Sequence, residues 1–184
     1  MSTPRQEIRR SQSLDLAQEE GPRKFHVVIT ANDAVYQEWQ SLIMFWWYQK
    51  VKRDNPDCDM GGFTRVLHAW KPDGLMEQIP TMLVNPLPRG QDQGYVVLNR
   101  PFALMQFMEQ AHIKEDYILM AEPDHLMLKP IPNLATPDKP AAFPFFYINT
   151  KVCTRGLYTP PHIFLFIRTH VRHATQGTRH PRLL

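Results

Sequence analysis

The sequence predicts an α/β domain built on a mostly parallel sheet. Short runs such as FHVVIT (25 to 30), TMLV (81 to 84) and YILMA (117 to 121) are almost continuously apolar, as strands covered on both faces are. Two longer stretches between them carry apolar residues at spacings of three and four, the signature of helices. The order strand, helix, strand, strand, helix, strand belongs to α/β domains.

FHVVIT ends at Ala31-Asn32-Asp33, where Asn or Asp can cap a helix. In the following AVYQEWQSLIMFWWYQKVK, the residues Tyr36, Trp39, Ile43, Trp46 and Trp47 form one broad apolar face, expected to pack on the core. The aromatic cluster Trp39, Trp46, Trp47 and Tyr48 is accordingly read as core packing rather than as a sugar-stacking surface. Lys50, Lys52 and Arg53 suit a helix C-terminus, and Asn55-Pro56 stops the helix. FTRVLHAW (63 to 70) and TMLV are the next strands, with Pro72, Gly74 and Pro80 between them. NPLPRGQDQGY (85 to 95) reads as a loop. RPFALMQFMEQAHI reads as a helix with Pro101 in its first turn, where a missing N–H costs nothing. YILMA follows, and AAFPFFYI (141 to 148) is a further strand by its apolar content. His68 and His112 read as core-edge or surface residues.

At 184 residues and 43% hydrophobic, the chain can bury one sizeable core. The formal charge of +3 is unevenly placed: residues 1 to 150 carry 15 Lys and Arg against 18 Asp and Glu, whereas 151 to 184 carry 6 basic residues and no acidic one. Basicity therefore belongs to the C-terminal segment, and the body is not read as a nucleic-acid surface. Two cysteines, Cys58 and Cys153, are too few for a disulfide framework and lack zinc-site spacing, though one bridge remains open. Residues 1 to 24 mix charges without periodicity, which predicts an unpacked extension with no visible signal peptide or membrane anchor.

Ligands of open α/β sheets bind beyond the carboxyl ends of the strands. Glu122-Pro123-Asp124-His125 follows YILMA at such an end. A Glu-x-Asp there can offer oxygens to a hard divalent ion, Mg²⁺ or Mn²⁺, whose open positions accept the diphosphate of a nucleotide. His125 is a third ligand or a phosphate partner. The plainer reading of such a tetrad is a solvated turn.

FHVVITANDAVYQEWQ, GGFTRVLHAWKPD, LNRPFAL, YILMAEPDH and AAFPFFY resemble, in the same order, segments of the plant and green-algal hydroxyproline O-arabinosyltransferases, over residues 25 to about 149. The resemblance implies a GT-A fold, Rossmann-like and here incomplete, and transfer of L-arabinofuranose from a UDP-sugar donor to hydroxyproline in an acceptor peptide or wall glycoprotein, with Mn²⁺ or a similar ion. It implies Asp124 as the first metal ligand, with Glu122 nearer the donor ribose or sugar and His125 third. Thr30, Asn32 and Asp33 correspond to the part that meets the nucleotide, or Asn32 and Asp33 only cap the helix. Arg65 is a diphosphate clamp or an edge salt-bridge partner. Asn99 and Arg100 belong to the donor pocket, or are a plain cap and surface charge. The family's Golgi location is implied too, although no anchor is visible. Residues 150 to 184 depart from the family as a basic tail, so acceptor contacts are expected to be missing. The alternative reading is an inactive truncated isoform that binds a nucleotide sugar or a full-length partner.

Overall fold

The structure, a computed structural model, describes residues 23–144 and 162–168. Strand β1 (Phe25–Ala31) leads to helix α1 (Val35–Asp54), β2 (Met60–His68), β3 (Thr81–Val84), a 3-10 turn at Val96–Leu98, helix α2 (Asn99–Gln110), β4 (Tyr117–Ala121), β5 (Ala141–Pro144) and β6 (His162–Arg168). The expected strands and helices within this span are present, with small differences at their ends. One sheet holds all six strands in the order β3-β2-β1-β4-β6-β5. The first four in that order run parallel, and β6 lies antiparallel between β4 and β5. The basic segment from residue 150 onward thus contributes a strand at His162–Arg168. The rest of it, Cys153, and residues 1–22 of the expected extension lie outside the described residues. Cys58 is a free thiol, and no described helix is long and apolar enough to cross a membrane.

Strand alternation divides the core in two. Phe25, Val27 and Ile29 of β1, Phe63 of β2 and Tyr117, Leu119 and Ala121 of β4 pack with Met44, Phe45, Tyr48 and Val51 of α1. Val28, Val66 and Ile118 point the other way, onto Ala103 and Phe107 of α2. The helices therefore cover opposite faces, which explains why β1 is buried along its whole length.

The apolar stripe expected to face the core does not. α1 buries Gln40, Ser41, Met44, Phe45, Tyr48 and Val51 instead, leaving Tyr36 and Ile43 exposed with Trp39 at 48% and Trp46 at 54% exposure. The core reading of the aromatic cluster holds for Tyr48 and fails for Trp39 and Trp46. Apolar residues occupy much of the circumference of α1, so spacing alone offers more than one face. Contacts with the sheet decide: the Phe45 and Tyr48 rings meet Phe63 at 5.0 and 4.9 Å, and Tyr48 Oη donates to Gly61 O at 2.6 Å.

At the amino end of the sheet, His26 Nδ1 lies 3.1 Å from Glu115 Oε2 and Nε2 lies 2.8 Å from Thr64 Oγ1. Glu115 also accepts the Gly62 N–H. A methyl group on Gly62 would stand 2.5 Å from His26 Nδ1, so this close approach requires glycine. The bond to His26, and next its charge, with backbone N–H groups assisting, outweigh burial and draw the Glu115 carboxyl down to about 2. A depressed carboxyl contributes stability above its unfolded pKa and loses it as pH falls through the folded value. Urea unfolding across a pH series should show stability falling from the ordinary value of 4.5 towards about 2. Glu115→Gln should flatten that slope and cost about 1–3 kcal/mol at pH 7.

Candidate functional site

Strand order reverses between β1 and β4, because β2 and β3 extend the sheet on one side of β1 and β4 on the other. Such a switch point leaves a crevice beyond the strand ends. Ile29 pairs with Ala121, so Thr30 and Glu122, one step further on, project to the α2 face. Arg100, in the first turn of α2, reaches both. Its Nε donates to Thr30 Oγ1 at 3.1 Å, and its Nη1 is ion-paired with Glu122. Its Nη2 is buried and has no hydrogen-bond partner among the described residues.

Beside this junction opens a cleft of about 570 Å³. Asn32 and Asp33 supply its wall from the end of β1, and His68, Trp70 and Lys71 from the end of β2. Pro86 and Val96 close it from the connection before α2, and Asn99 from the first residue of that helix. Asn99 Oδ1 accepts the Leu87 N–H at 2.8 Å and its Nδ2 donates to Val96 O at 3.0 Å, so it braces that loop. Neither Asn32 nor Asp33 is the N-cap of α1, which is Ala34 with no side-chain cap. Asn32 Oδ1 instead accepts the Ala34 N–H at 3.0 Å, and the Asn32 N–H goes to Gln37 Oε1 at 2.6 Å. Those two backbone donors are therefore already used. Thr30 is buried and acts on the site through Arg100.

Burial sets the protonation of the groups around Arg100. It pushes His68 down, helped by Arg100 and opposed by Asp33. It pushes Glu122 up, outweighing the guanidinium, with Asp124 adding to the rise. His125 is lowered chiefly by burial, against Asp124. Both imidazoles are thus mostly neutral at pH 7. A neutral His125 agrees with its Nδ1 accepting the Glu122 N–H at 3.2 Å.

The three expected metal ligands do not converge. Among the described residues no three His, Cys, Asp or Glu side chains gather as a cage. Glu122 turns to Arg100, His125 Nδ1 turns to the Glu122 backbone, and Asp124 stands exposed. Of the three, Asp124 is the residue that would hold an ion, the rest of whose ligands would come from substrate and water.

For Arg65 the salt-bridge alternative is the one the structure shows. Arg65 pairs in register with Ile29, on the α1 face of the sheet, opposite to Thr30 and Arg100. Fully buried, it grips Asp73 by two N–H···O bonds of 2.5 and 2.8 Å, with Nε on Thr81 Oγ1 at 3.1 Å. It is a structural salt bridge tying β2 to the connection before β3, and it has no access to a diphosphate.

The model of the hydroxyproline O-arabinosyltransferase family N-terminal domain matches residues 25–159. The chain belongs to this family. Hydroxyproline O-arabinosyltransferase 2 of Arabidopsis thaliana is 60% identical over 129 residues, covering 70% of this chain and 36% of that protein. Hydroxyproline O-arabinosyltransferase RDN2 of Medicago truncatula is 59% identical over 127 residues, covering 69% and 35%. Hydroxyproline O-arabinosyltransferase NOD3 of Pisum sativum is 58% identical over 126 residues, covering 68% and 37%. The chain spans about a third of the length of these relatives. No solved structure matches it.

The family match runs past residue 149, where the similarity read from the residues themselves gives out. His68, Trp70 and Lys71 were missed as site residues, although the rule that drew attention to the ends of β1 and β4 applies equally to β2. Trp70 carried the clearest signal, a tryptophan directly after a strand, and it is 77% exposed.

Arg65 gives this region its test. The bonds to its guanidinium hold the Asp73 carboxyl below the usual carboxylate range. Asp73→Ala would strand a buried cation and should lower stability by about 3–5 kcal/mol in urea unfolding.

Proposed function

We propose that this chain forms the donor-binding part of a metal-dependent glycosyltransferase, which transfers L-arabinofuranose from a UDP-sugar to hydroxyproline in peptides or wall glycoproteins. The observation that carries the reading is the Arg100 guanidinium at the switch point. It is anchored by Thr30 and Glu122 and keeps one buried N–H group without a partner, beside a cleft large enough for part of a nucleotide. An oxygen-rich diphosphate supplies the missing acceptor, and a guanidinium suits such a ligand by charge and shape. The names of the relatives supply the acceptor class.

In this reading Trp70 offers a flat face to the base and Lys71 a second cation to the phosphates, both from the end of β2. Asp33 accepts ribose hydroxyls. Neutral His68 lets the wall bind without adding a charge. Glu122 holds Arg100 in place and keeps its charge local. Asp124 is the residue that would hold a divalent ion, Mn²⁺ or Mg²⁺, together with donor oxygens. Such an ion would neutralise charge on the departing diphosphate. The same reading assigns the protein to the Golgi.

Calorimetric titration with UDP tests the donor site. Binding should strengthen when Mn²⁺ is added, and Asp124→Asn should abolish that gain while leaving the metal-free affinity within about twofold. Arg100→Met should weaken UDP by about tenfold or more, the loss of a charge-assisted hydrogen bond worth about 1.5–3 kcal/mol. UDP binding indifferent to both substitutions would overturn the site.

Transfer tests the activity. Labelled arabinose should pass from the UDP-sugar to a hydroxyproline peptide. A folded chain that binds UDP and yields no product would instead be a nucleotide-sugar-binding form without activity.

A further inference from the structure

The outer stripe of α1 has no role in the donor site, yet it carries the largest run of exposed aromatic surface on the helix. Tyr36, Trp39, Ile43 and Trp46 succeed one another along its outward side. Tyr36 and Trp39 meet edge to face at 5.7 Å and 88°. Trp46 and Trp47 do the same at 5.0 Å and 89°, so their rings form a corner. That corner belongs to a groove of about 500 Å³ completed by Leu42, Gln49 and Gln78, and no charged residue lines it.

We propose that this stripe and groove bind the acceptor, a proline- or hydroxyproline-rich chain in the polyproline II conformation, through the residues that flank the one entering the cleft. The proposal takes its ligand class from the function proposed above and adds the surface that recognises it. Four features favour this occupant. The stripe begins near the cleft, because α1 starts where β1 ends and Tyr36 follows Asp33 of the cleft wall within one helical turn.

The lining is uncharged, which suits a neutral, ring-rich peptide and offers nothing to an anionic polymer or lipid headgroup. Perpendicular indole rings present a floor and a wall to a five-membered ring, as aromatic-lined grooves do for proline-rich ligands. Polyproline II leaves its carbonyls without internal hydrogen bonds, and Gln49 and Gln78 in the groove lining carry amide donors for them.

The dimensions agree. Ten residues of helix from Tyr36 to Trp46 rise about 15 Å. A polyproline II chain covers that distance in about five residues at about 3.1 Å each. Its stiffness lowers the ordering cost of binding along an open surface.

The test is a fluorescence anisotropy titration of the full chain with a labelled hydroxyproline decamer and, separately, calorimetry with UDP. The decamer should bind saturably while a Gly-Ser decamer does not. Trp46→Ser should weaken it at least tenfold and Trp39→Ser at least threefold. Both side chains are about half exposed, so circular dichroism and UDP binding should match wild type. No binding of the decamer, or binding that both variants leave within twofold, overturns the proposal. So does a self-association seen by sedimentation that Trp46→Ser abolishes while decamer affinity is unchanged, which would assign the stripe to a second copy. UDP bound with the decamer refused sinks the acceptor surface alone. The decamer bound at the stripe with UDP refused supports the surface and sinks the donor site.

Discussion

A guanidinium held at the carboxyl ends of two neighbouring parallel strands organises this end of the sheet. Arg100 could not sit there unpaired, because a buried cation without partners is strongly destabilising. Thr30 and Glu122 meet that requirement from β1 and β4, and in doing so they lock the first turn of α2 over the switch point. The loop before α2 is then fixed by Asn99, which bonds to both Leu87 and Val96. One wall of the cleft follows from the same set of contacts. Glu122 therefore serves as the counter-ion of Arg100.

Two arginines illustrate how much the pleat decides. Arg65 and Arg100 both stand near strands of the same sheet, and both invite a phosphate-binding story. Register places Arg65 on the α1 face, sealed against Asp73 with no exposed surface. Arg100 is brought by α2 to the opposite face, at the strand ends, with one N–H group still to satisfy. The first ties β2 to the connection before β3, and the second ties α2 to the ends of β1 and β4. Residue type is the same in both cases, and only the side of the sheet and the depth along it separate them.

The helix that covers the other face is apolar around more than one side, and the sheet could accept only one of them. Phe45 and Tyr48 win because Phe63 and the Gly61 carbonyl receive them, while the tryptophans at 39 and 46 are left outside. This exposed side is the surface proposed above for the acceptor. Donor and acceptor functions would then divide between the strand ends and the outer side of the first helix, joined at the turn after β1.

Element type and order were legible in the chain itself. Near-continuous apolar strands imply cover on both faces, Pro and Gly mark the connections, and the strand-end tetrad at Glu122 was singled out by its position after YILMA. Those signals are local, carried by spacing and by backbone chemistry. Pairing is not local. Which face of α1 is buried, that Arg65 finds Asp73, that Arg100 finds Glu122, and that His68, Trp70 and Lys71 join Asn32 and Asp33 around one cleft depend on contacts between distant segments. Only the assembled sheet fixes these, because burial makes a charge choose its partner and leaves the remaining side chains to solvent or ligand.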